Sequence, residues 1–369
     1  MRKFLFIITK GDNIGGAQIY VKELAIQLKK DGHEVIVATG SEGVLTQKLK
    51  DNQIQTIILK NLEVSIHLLK DVKAVFELKK IIKQTQPDLV CINSSKSGFV
   101  GRIACYLAKT KNVFVVHGWS FTDGLPIHKV VLFKLLERMI KSISQYWICV
   151  SDFDYRLGLQ SKVIQPSKTK VIKNGITDKH LPHINSLKLN VTQIVFIARH
   201  DYQKDHLTFF KAIQEIDNIN VFLLGDGPLF EYNQLFAKKI NIESKLQFLG
   251  FQKNVDEYLS KSDIFVLISN WEGFPISTLE AMSAELPIIV SNVGGAAEAI
   301  ENCKEGFVVE KGDVKVLREK INYLINNPTK RVEMGKLARK KYETSFAYSK
   351  MYSDTFEYFE EIIKCQNRN

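Results

Sequence analysis

Short runs of apolar residues alternate with longer stretches of helical periodicity along this chain, and both halves show the same arrangement. Uninterrupted Val, Ile and Phe runs between helical stretches are typical of parallel strands that are covered on both faces. In the first half the pattern predicts strands at 4–8, 35–38, 54–59, 88–92, 112–116 and 146–150. In the second half it predicts strands at 193–198, 220–224, 246–249, 264–268, 287–290 and 306–308.

This repetition predicts two doubly wound, Rossmann-like α/β domains. The length of 369 residues agrees, because single hydrophobic cores stop growing at about 250–300 residues. The polar stretch 177–190 is the predicted boundary, with domains over 1–180 and 181–345 and a terminal segment over 346–369. Open α/β sheets bind ligands at the carboxyl ends of their strands, so we expect a ligand in a cleft between the two facing sheets.

Two glutamates, Glu272 and Glu280, lie on either side of a Gly-x-Pro break. Pro275 disfavours helix at the residue before it, which predicts that a helix begins near Ser277 or Thr278. Glu272 then precedes the helix, and Glu280 lies in its first turn. The free amides of that turn and the helix dipole form a site for an anion such as diphosphate, and carboxylates beside it suit the hydroxyls of a ribose or sugar.

The same residues have a simpler interpretation. Ser277-x-x-Glu280 fits a capping box, in which serine and glutamate satisfy the free amides at the start of the helix. Because such boxes are common matches, this motif alone does not decide between a cap and a ligand site.

Two cations, Arg199 and Lys204, follow the first strand of the second half within one loop. Such a pair can clamp a diphosphate. The alternative pairs them with Asp201 and Asp205 as surface salt bridges of little energetic value.

Glycines and a histidine end several other predicted strands. Gly15 and Gly16 allow a sharp turn and a close approach of a ligand at a helix start, although an ordinary turn uses the same residues. His117 closes the fifth strand, where it can touch a substrate, whereas lone histidines are more often structural. Gly225 and Phe251 end two strands of the second half, and each also fits a simple turn.

Charge is uneven along the chain. Residues 1–180 hold 28 Lys and Arg against 15 Asp and Glu, whereas 181–369 hold 23 against 25. A basic domain points toward an anionic surface, either lipid headgroups or nucleic acid. The stretch 127–141 interleaves basic and apolar residues as a membrane-surface helix does, and a core-facing helix with a solvated basic face gives the same periodicity.

No apolar run approaches the roughly 20 residues that cross a bilayer, and the first run is too short for a signal peptide. We therefore expect a cytoplasmic protein, with the inner face of the cell membrane as its candidate location. The five cysteines are scattered and never show C-x-x-C spacing, which predicts reduced thiols and no metal site.

Together these residues resemble the retaining glycosyltransferases of family 4, which have the two-domain GT-B fold. The match rests on Gly15-Gly16, His117-Gly118, Asn174-Gly175, Arg199 with Lys204, Gly225-Asp226-Gly227, Leu249-Gly250, Glu272 with Glu280, and Gly294-Gly295. By this resemblance Arg199 and Lys204 neutralise the donor diphosphate and Glu280 binds the ribose. A long helix predicted over 345–364 crosses back onto the first domain.

The resemblance also implies that Glu272 contacts the donor sugar or phosphate, that Gly16 approaches the diphosphate and that His117 lines the donor sugar. The implied donor-binding set is Gly15, Gly16, Gly225, Phe251, Gly273, Phe274, Pro275, Ile276, Ser277 and Glu280. Three positions depart from the family pattern: Asp205 replaces a glycine, Glu285 replaces a small residue, and Lys173 replaces a proline.

The function that follows is a retaining, metal-independent transfer of a sugar from a nucleoside diphosphate donor to a glycan acceptor, with a lipid-linked acceptor as the candidate. No cofactor is expected, and no catalytic nucleophile is assigned, because in this family the leaving phosphate takes the acceptor's proton. The setting would be bacterial capsule, O-antigen or cell-wall glycan synthesis. An anionic membrane surface is the expected macromolecular partner, and nucleic acid is not. A nucleotide-sugar epimerase of similar fold and a non-catalytic module that binds nucleotide or membrane are the alternatives.

Overall fold

A computed structural model describes residues 1–12, 14–122, 126–179 and 191–365. The chain divides into two compact units. Unit 1 contains Met1–Lys173 together with the residues from Tyr352 onward, and unit 2 contains Asn174–Met351. Most of the predicted boundary stretch, 180–190, lies outside the described residues.

Unit 1 is built on a seven-stranded parallel sheet with the order β3-β2-β1-β4-β5-β6-β7. Its strands are β1 Lys3–Ile8, β2 Glu34–Thr39, β3 Gln55–Ile58, β4 Leu89–Asn93, β5 Asn112–Val116, β6 Tyr146–Cys149 and β7 Thr169–Val171. Every residue of β4 and β5 is buried, which explains their uninterrupted apolar sequences.

Helices cover both faces of this sheet. They are α1 Gly16–Lys30, α2 Val44–Asp51, α3 Leu68–Thr85, α4 Ser95–Ala108, α5 Ile127–Ile140 and α6 Asp152–Gln160. Right-handed crossovers toward β4, β5 and β6 place α3, α4 and α5 on one face, and α4 packs against both α3 and α5.

Unit 2 is built on a six-stranded parallel sheet with the order β10-β9-β8-β11-β12-β13. Its strands are β8 Thr192–Ile197, β9 Ile219–Leu224, β10 Leu246–Gly250, β11 Ile264–Leu267, β12 Ile288–Ser291 and β13 Gly306–Val309. Its helices are α7 His206–Ile213, α8 Phe230–Lys239, α9 Val255–Ser260, α10 Ile276–Ser283, α11 Val314–Asn326 and α12 Pro328–Ser345.

The last helix, α13, spans Tyr348–Lys364, and its residues from Tyr352 onward belong to unit 1. There Arg2 Nε lies 3.0 Å from Glu360 Oε1, and the rings of Phe4 and Phe359 are 5.7 Å apart. The terminal segment therefore completes the packing of unit 1 after the chain has passed through unit 2.

All twelve predicted strands are present, which confirms the α/β class and the two parallel sheets. The prediction missed β7, because this strand has three residues and carries Lys170 at its centre. The single helix predicted over 345–364 was wrong at its start, since Ser345 ends α12 and α13 begins at Tyr348. Among the described residues, no helix has the length and apolar character needed to span a bilayer.

Candidate active site

The strand order of unit 2 changes direction between β8 and β11, which are neighbours in the sheet. The chain runs outward from β8 to β10 and then returns to β11 on the other side of β8. Loops that follow two such strands lead away from each other and leave a crevice at the carboxyl edge of the sheet. Arg199 and Lys204 lie in the loop after β8, and Glu272 lies in the loop after β11.

Lys204 and Glu272 form an ion pair across this point, with side chains that are only 13% and 5% exposed. Glu272 also accepts hydrogen bonds from Ser269 Oγ at 2.6 Å and from Gln203 Nε2 at 3.2 Å. Sequence reasoning missed Ser269 and Gln203, because neither belongs to a motif. The pairing shows that the surface salt bridge considered for Lys204 was the wrong alternative, since its partner is 68 positions away.

Backbone hydrogen bonds join the same two loops. The amide of Asp205 donates to the carbonyl of Ile268 at 2.9 Å, and the amide of Asn270 donates to the carbonyl of Gln203 at 2.7 Å. The ion pair therefore lies on a backbone connection that fixes the distance between the two loops.

Arg199 differs from Lys204 in its surroundings. Its side chain is 61% exposed, and its Nη1 lies 3.5 Å from Asp201 Oδ2. An exposed pair at this distance contributes little energy, so the guanidinium can exchange its partner for an anion. Asp205, which departs from the family pattern, caps α7 by accepting from Thr208 N at 3.0 Å and Thr208 Oγ1 at 2.6 Å.

Helix α10 begins at Ile276 after Pro275, and no side chain caps its first amides. The capping box is therefore absent, because Ser277 is the second helical residue and does not lie at the cap. Glu280 is the fifth helical residue and so lies just beyond the first turn, one or two positions later in the helix than predicted. Ser277 and Glu280 are partly exposed on a helix that is otherwise buried, so they form its accessible strip.

An asparagine from the start of unit 2 holds the segment before α10. Asn174 is buried, and its Nδ2 donates to the carbonyl of Phe274 at 2.8 Å. This bond orients the peptide that precedes Pro275 and thus the direction in which the first amides of α10 point. Phe274, Gly273 and Pro275 are buried there beneath the helix start.

Glycines let other loops approach this region closely. Gly225 has φ +134°, and a Cβ there would lie 1.9 Å from the carbonyl oxygen of Ala198. Gly294 has φ +54°, and a Cβ there would lie 1.9 Å from the carbonyl oxygen of Glu272. Phe251, which follows β10, is exposed at the same edge of the sheet.

The loop between β8 and α7, which holds Arg199 and Lys204, is the clamp loop. Two histidines that sequence reasoning did not select, His200 in this loop and His206 at its end, are stacked on each other. The rings of His200 and His206 are 4.1 Å apart at 19°, and both residues are buried. Asn233 Nδ2 lies 2.8 Å from His200 Nδ1, which must accept because the amide nitrogen can only donate. Neither Nε2 has a hydrogen-bond partner among the described residues.

Both imidazoles are kept neutral. Burial lowers the pKa of His200 to about 4, against the opposing effect of Asp226 and Asp201. Burial and the neighbouring His200 lower the pKa of His206 to about 3. Because the backbone of His200 also bonds to the carbonyl of Asp226, the stack ties the clamp loop to the glycine loop after β9.

Unit 1 has the corresponding change of direction between β1 and β4. Gly15 caps α1 there with φ −121°, a value that any residue can adopt, and α1 begins at Gly16. Gln18 accepts from the amide of Gly15 at 3.1 Å and donates to the carbonyl of Lys10.

His117 lies at the carboxyl end of β5 and is partly exposed. Its Nε2 lies 3.0 Å from Asn93 Oδ1, and its ring meets that of Tyr20 edge-on at 5.0 Å. Because Asn93 Oδ1 is an acceptor, His117 Nε2 carries the proton. Desolvation lowers the pKa of His117 to about 4, so this ring is neutral at pH 7.

The chain contains one Asp-x-Asp sequence, at Asp152 and Asp154. Asp154 is buried and accepts from Ser151 Oγ at 2.7 Å, whereas Asp152 pairs with Lys173 at 2.9 Å. Among the described residues, no three His, Cys, Asp or Glu side chains are grouped as metal ligands.

Comparison with known proteins gives two family matches that follow each other along the chain. Residues 14–180 match the model described as "Glycosyltransferase Family 4", and residues 179–341 match the one described as "Glycosyl transferases group 1".

Two relatives from Escherichia coli are similar over most of their length. The UDP-Gal:alpha-D-GlcNAc-diphosphoundecaprenol alpha-1,3-galactosyltransferase is 31% identical over 307 residues, which cover 78% of this chain and 79% of the relative. The O-antigen biosynthesis glycosyltransferase WbnH is 28% identical over 311 residues, which cover 84% and 86%.

Among solved structures, the Anabaena protein HepE in complex with UDP and glucose has the same fold. It superimposes with a TM-score of 0.85 at 20% identity, over 98% of this chain and all of that one.

Proposed function

This chain belongs to the GT-B glycosyltransferases, and on that premise we propose that it is a retaining family 4 enzyme that uses a nucleoside diphosphate sugar as donor. The observation that carries the proposal is the ion pair of Lys204 and Glu272, which lies where the strand order changes. Glu272 is also four residues before Ile276, the uncapped start of α10.

Breaking the bond between an anomeric carbon and a diphosphate requires stabilisation of the negative charge that develops on the leaving group. The Arg199 guanidinium is only weakly paired with Asp201 and can bind the diphosphate instead. Lys204 offers a second charge that Glu272 keeps in a fixed position. The first amides of α10 and its dipole add donors without any side-chain cap in competition.

The other end of the donor would lie along α10. Glu280 is on the accessible strip of that helix, where its carboxylate can accept from the two ribose hydroxyls. Asn174 orients the peptide before the helix and thereby the amides that face the phosphates. UDP is the nucleotide that the comparison with HepE favours.

We assign no nucleophile and no general base on the enzyme. Retention then requires that the acceptor hydroxyl attack on the face from which the diphosphate departs and give its proton to the leaving phosphate. The cations and amides of unit 2 supply the charge stabilisation that a metal ion supplies in other transferases, so we propose a metal-independent reaction. His117, neutral and carrying its proton on Nε2, is proposed from the family resemblance to line the donor sugar.

The acceptor is proposed to be lipid-linked, because the 31%-identical relative is named for a diphosphoundecaprenol acceptor. Synthesis of a bacterial surface polysaccharide is the matching role, as the O-antigen relative indicates. The basic excess of residues 1–180 supports an anionic membrane surface as the place where such an acceptor is met.

The test is turnover of nucleoside diphosphate sugars with and without a polyprenyl diphosphate-linked sugar, followed by proton NMR of the product. Transfer only with acceptor, and an anomeric configuration equal to that of the donor, is the expected result. An altered donor sugar without acceptor would instead identify an epimerase, and an unchanged donor under all conditions would identify a binding module.

Arg199→Gln is the informative variant, because Arg199 contributes little to the fold. We expect donor affinity to fall about tenfold or more, since a charge-assisted contact to phosphate is lost. Lys261→Gln is the matched control, because it also removes an exposed, paired cation of unit 2.

A further inference from the structure

Helix α5 exposes a strip of large apolar side chains on its outer side. Val131, Leu132, Leu135 and Met139 are exposed, as is Ile127 at its start. The fully buried positions of the helix are Glu137 and Ile140, and Val130 and Phe133 pack against the core of unit 1. The sequence left open whether this helix turns its apolar side to the core or to a membrane. In the structure Val130, Phe133 and Ile140 face the core, so the core-facing alternative is right for one side of α5, while a second apolar strip is exposed.

A buried ion pair is what fixes this orientation. Arg102 of α4 is fully buried, and its Nη2 lies 2.9 Å from both carboxylate oxygens of Glu137. Its other nitrogens donate to the carbonyl of Gly98 and to Ser144 Oγ, and the guanidinium stacks 4.4 Å above the ring of Phe114. Rotation of α5 about its axis would separate Glu137 from Arg102 and leave the buried Arg102 charge uncompensated, which is strongly unfavourable.

A second apolar stretch is exposed in the same unit. Residues 64–70, which lead into α3, are all exposed, and Leu68 and Leu69 reach 78% and 79%. Val72 and Phe76 continue the exposed strip along α3 itself. A soluble domain rarely exposes so many large apolar side chains together unless they bind a partner.

Helix α4 connects the two stretches. Lys96, in its first turn, donates to the carbonyl of Ser65 at 2.9 Å and pairs with Asp71 at 2.5 Å. Arg102, on the same helix, holds α5. Arg102 lies six positions after Lys96, which is roughly 9 Å along the axis. The apolar residues of both stretches therefore flank one helix on one face of unit 1.

The exposed charges around these two stretches are mainly positive. Lys73, Lys129 and Arg138 are exposed, whereas α5 has one acid, Glu137, and it is buried. The acids of the other stretch are paired, Glu63 with Lys70 and Asp71 with Lys96. What faces outward is thus apolar surface with a net positive border, which is the combination that binds the interface of an anionic bilayer.

We propose that these two stretches form a membrane-docking surface for an anionic lipid bilayer. It consists of Val64, Ile66, Leu68, Leu69, Val72, Phe76, Ile127, Val131, Leu132, Leu135 and Met139. The apolar side chains enter the headgroup region, and Lys73, Lys129 and Arg138 meet the lipid phosphates. The inference rests on the proposed function, because a bilayer is where a lipid-linked acceptor is found, and it names the partner surface of unit 1.

The experiment is sedimentation of the full chain with vesicles of phosphatidylglycerol mixed with phosphatidylcholine, and with phosphatidylcholine alone. Binding to the mixed vesicles that weakens as salt is raised is expected. Leu68→Gln with Leu69→Gln, and separately Leu132→Gln with Leu135→Gln, should each lower the partition coefficient about tenfold. Lys129→Gln should lower it about fivefold.

The matched control is Leu235→Gln, which removes an equally exposed leucine from α8 of unit 2 and should leave vesicle binding unchanged. Because the substituted residues are exposed, the thermal unfolding of these variants should match that of the parent chain. The proposal is overturned if the parent ignores phosphatidylglycerol, or if light scattering shows a dimer that the leucine variants dissociate, since a second copy then covers the surface.

Failure of this proposal and failure of the proposed function give different results. Donor binding measured by calorimetry without lipid tests the donor site separately from the docking surface, and it should be the same in all the leucine variants. Vesicle binding without donor binding would support the docking surface and contradict the proposed use of a nucleoside diphosphate sugar. Donor binding without vesicle binding would support the proposed donor and contradict the docking surface.

Discussion

Lys204 and Glu272 neutralise each other at a largely buried position, so removal of either side chain leaves the other charge without its partner. We expect Lys204→Ala to lower the free energy of unfolding by roughly 2–4 kcal/mol, because an uncompensated buried carboxylate is costly. Denaturant titration measures this loss. Lys179→Ala, which removes the cation of the more exposed pair with Asp256, should cost under about 1 kcal/mol.

The same pair allows stability to be separated from donor binding. Lys204→Met combined with Glu272→Gln removes both charges and keeps the volume, so the free energy of unfolding should return to near that of the parent. Donor affinity should stay low in calorimetric titrations, since the cation that meets the diphosphate is gone. A double variant that is stable and binds donor like the parent would remove Lys204 from the clamp.

Gly294 lies against the backbone of Glu272, and this contact gives a second test of the site. Gly294→Ala should displace the Glu272 carbonyl and weaken donor binding, in addition to the cost of a non-glycine residue at φ +54°. Gly312→Ala carries a similar conformational cost at φ +75° but has no atom within 4 Å of the new Cβ. Equal donor affinity in the two variants would show that strain alone, and not the displaced glutamate, explains the effect.

The sequence was sufficient for elements that depend on local patterns. The buried strands were predicted because each is a continuous apolar run, and the helix after Glu272 was predicted within two residues because Pro275 marks its start. The strand β7 lacked such a run. The family resemblance located the clamp loop and the two glutamates from motif order alone.

What the sequence could not provide were partners that are distant along the chain. The neighbours of Lys204 in sequence suggested Asp205, but folding brings Glu272 to it across the point where the strand order changes. The periodicity of α5 showed two faces without showing which is buried, because that depends on Arg102 of α4. The stack of His200 on His206 likewise needs the turn between them to be folded.

The stacked histidines predict a loss of stability in acid. Their folded pKa values of about 4 and about 3 lie below the ordinary value of 6.5, so the unfolded chain binds more protons between these pH values. Stability is therefore full above pH 6.5 and declines as the pH falls toward 4, by about 1.4 kcal/mol for each pKa unit and group.

His206→Phe should keep the stack and remove one titrating ring. Lys204 and His200, which oppose protonation of His206, are unchanged in this variant. Urea unfolding at several pH values should show a smaller loss between pH 6.5 and 4 than in the parent, whereas the exposed His128→Phe controls for loss of a histidine. An unchanged slope in His206→Phe would show that other groups cause the acid sensitivity.

Glu285 occupies a backbone conformation that favours glycine, with φ +59° after the end of α10. A side chain in this region costs about 1–2 kcal/mol, which a change to glycine would relieve. Glycine also has more freedom in the unfolded chain, and this offsets part of the stabilisation. We expect Glu285→Gly to raise the free energy of unfolding by up to about 1 kcal/mol. Glu285→Ala, which keeps the Cβ, should give no such increase in the same denaturant titration. If alanine stabilises as much as glycine, the glutamate side chain and not its backbone conformation is the source of the cost.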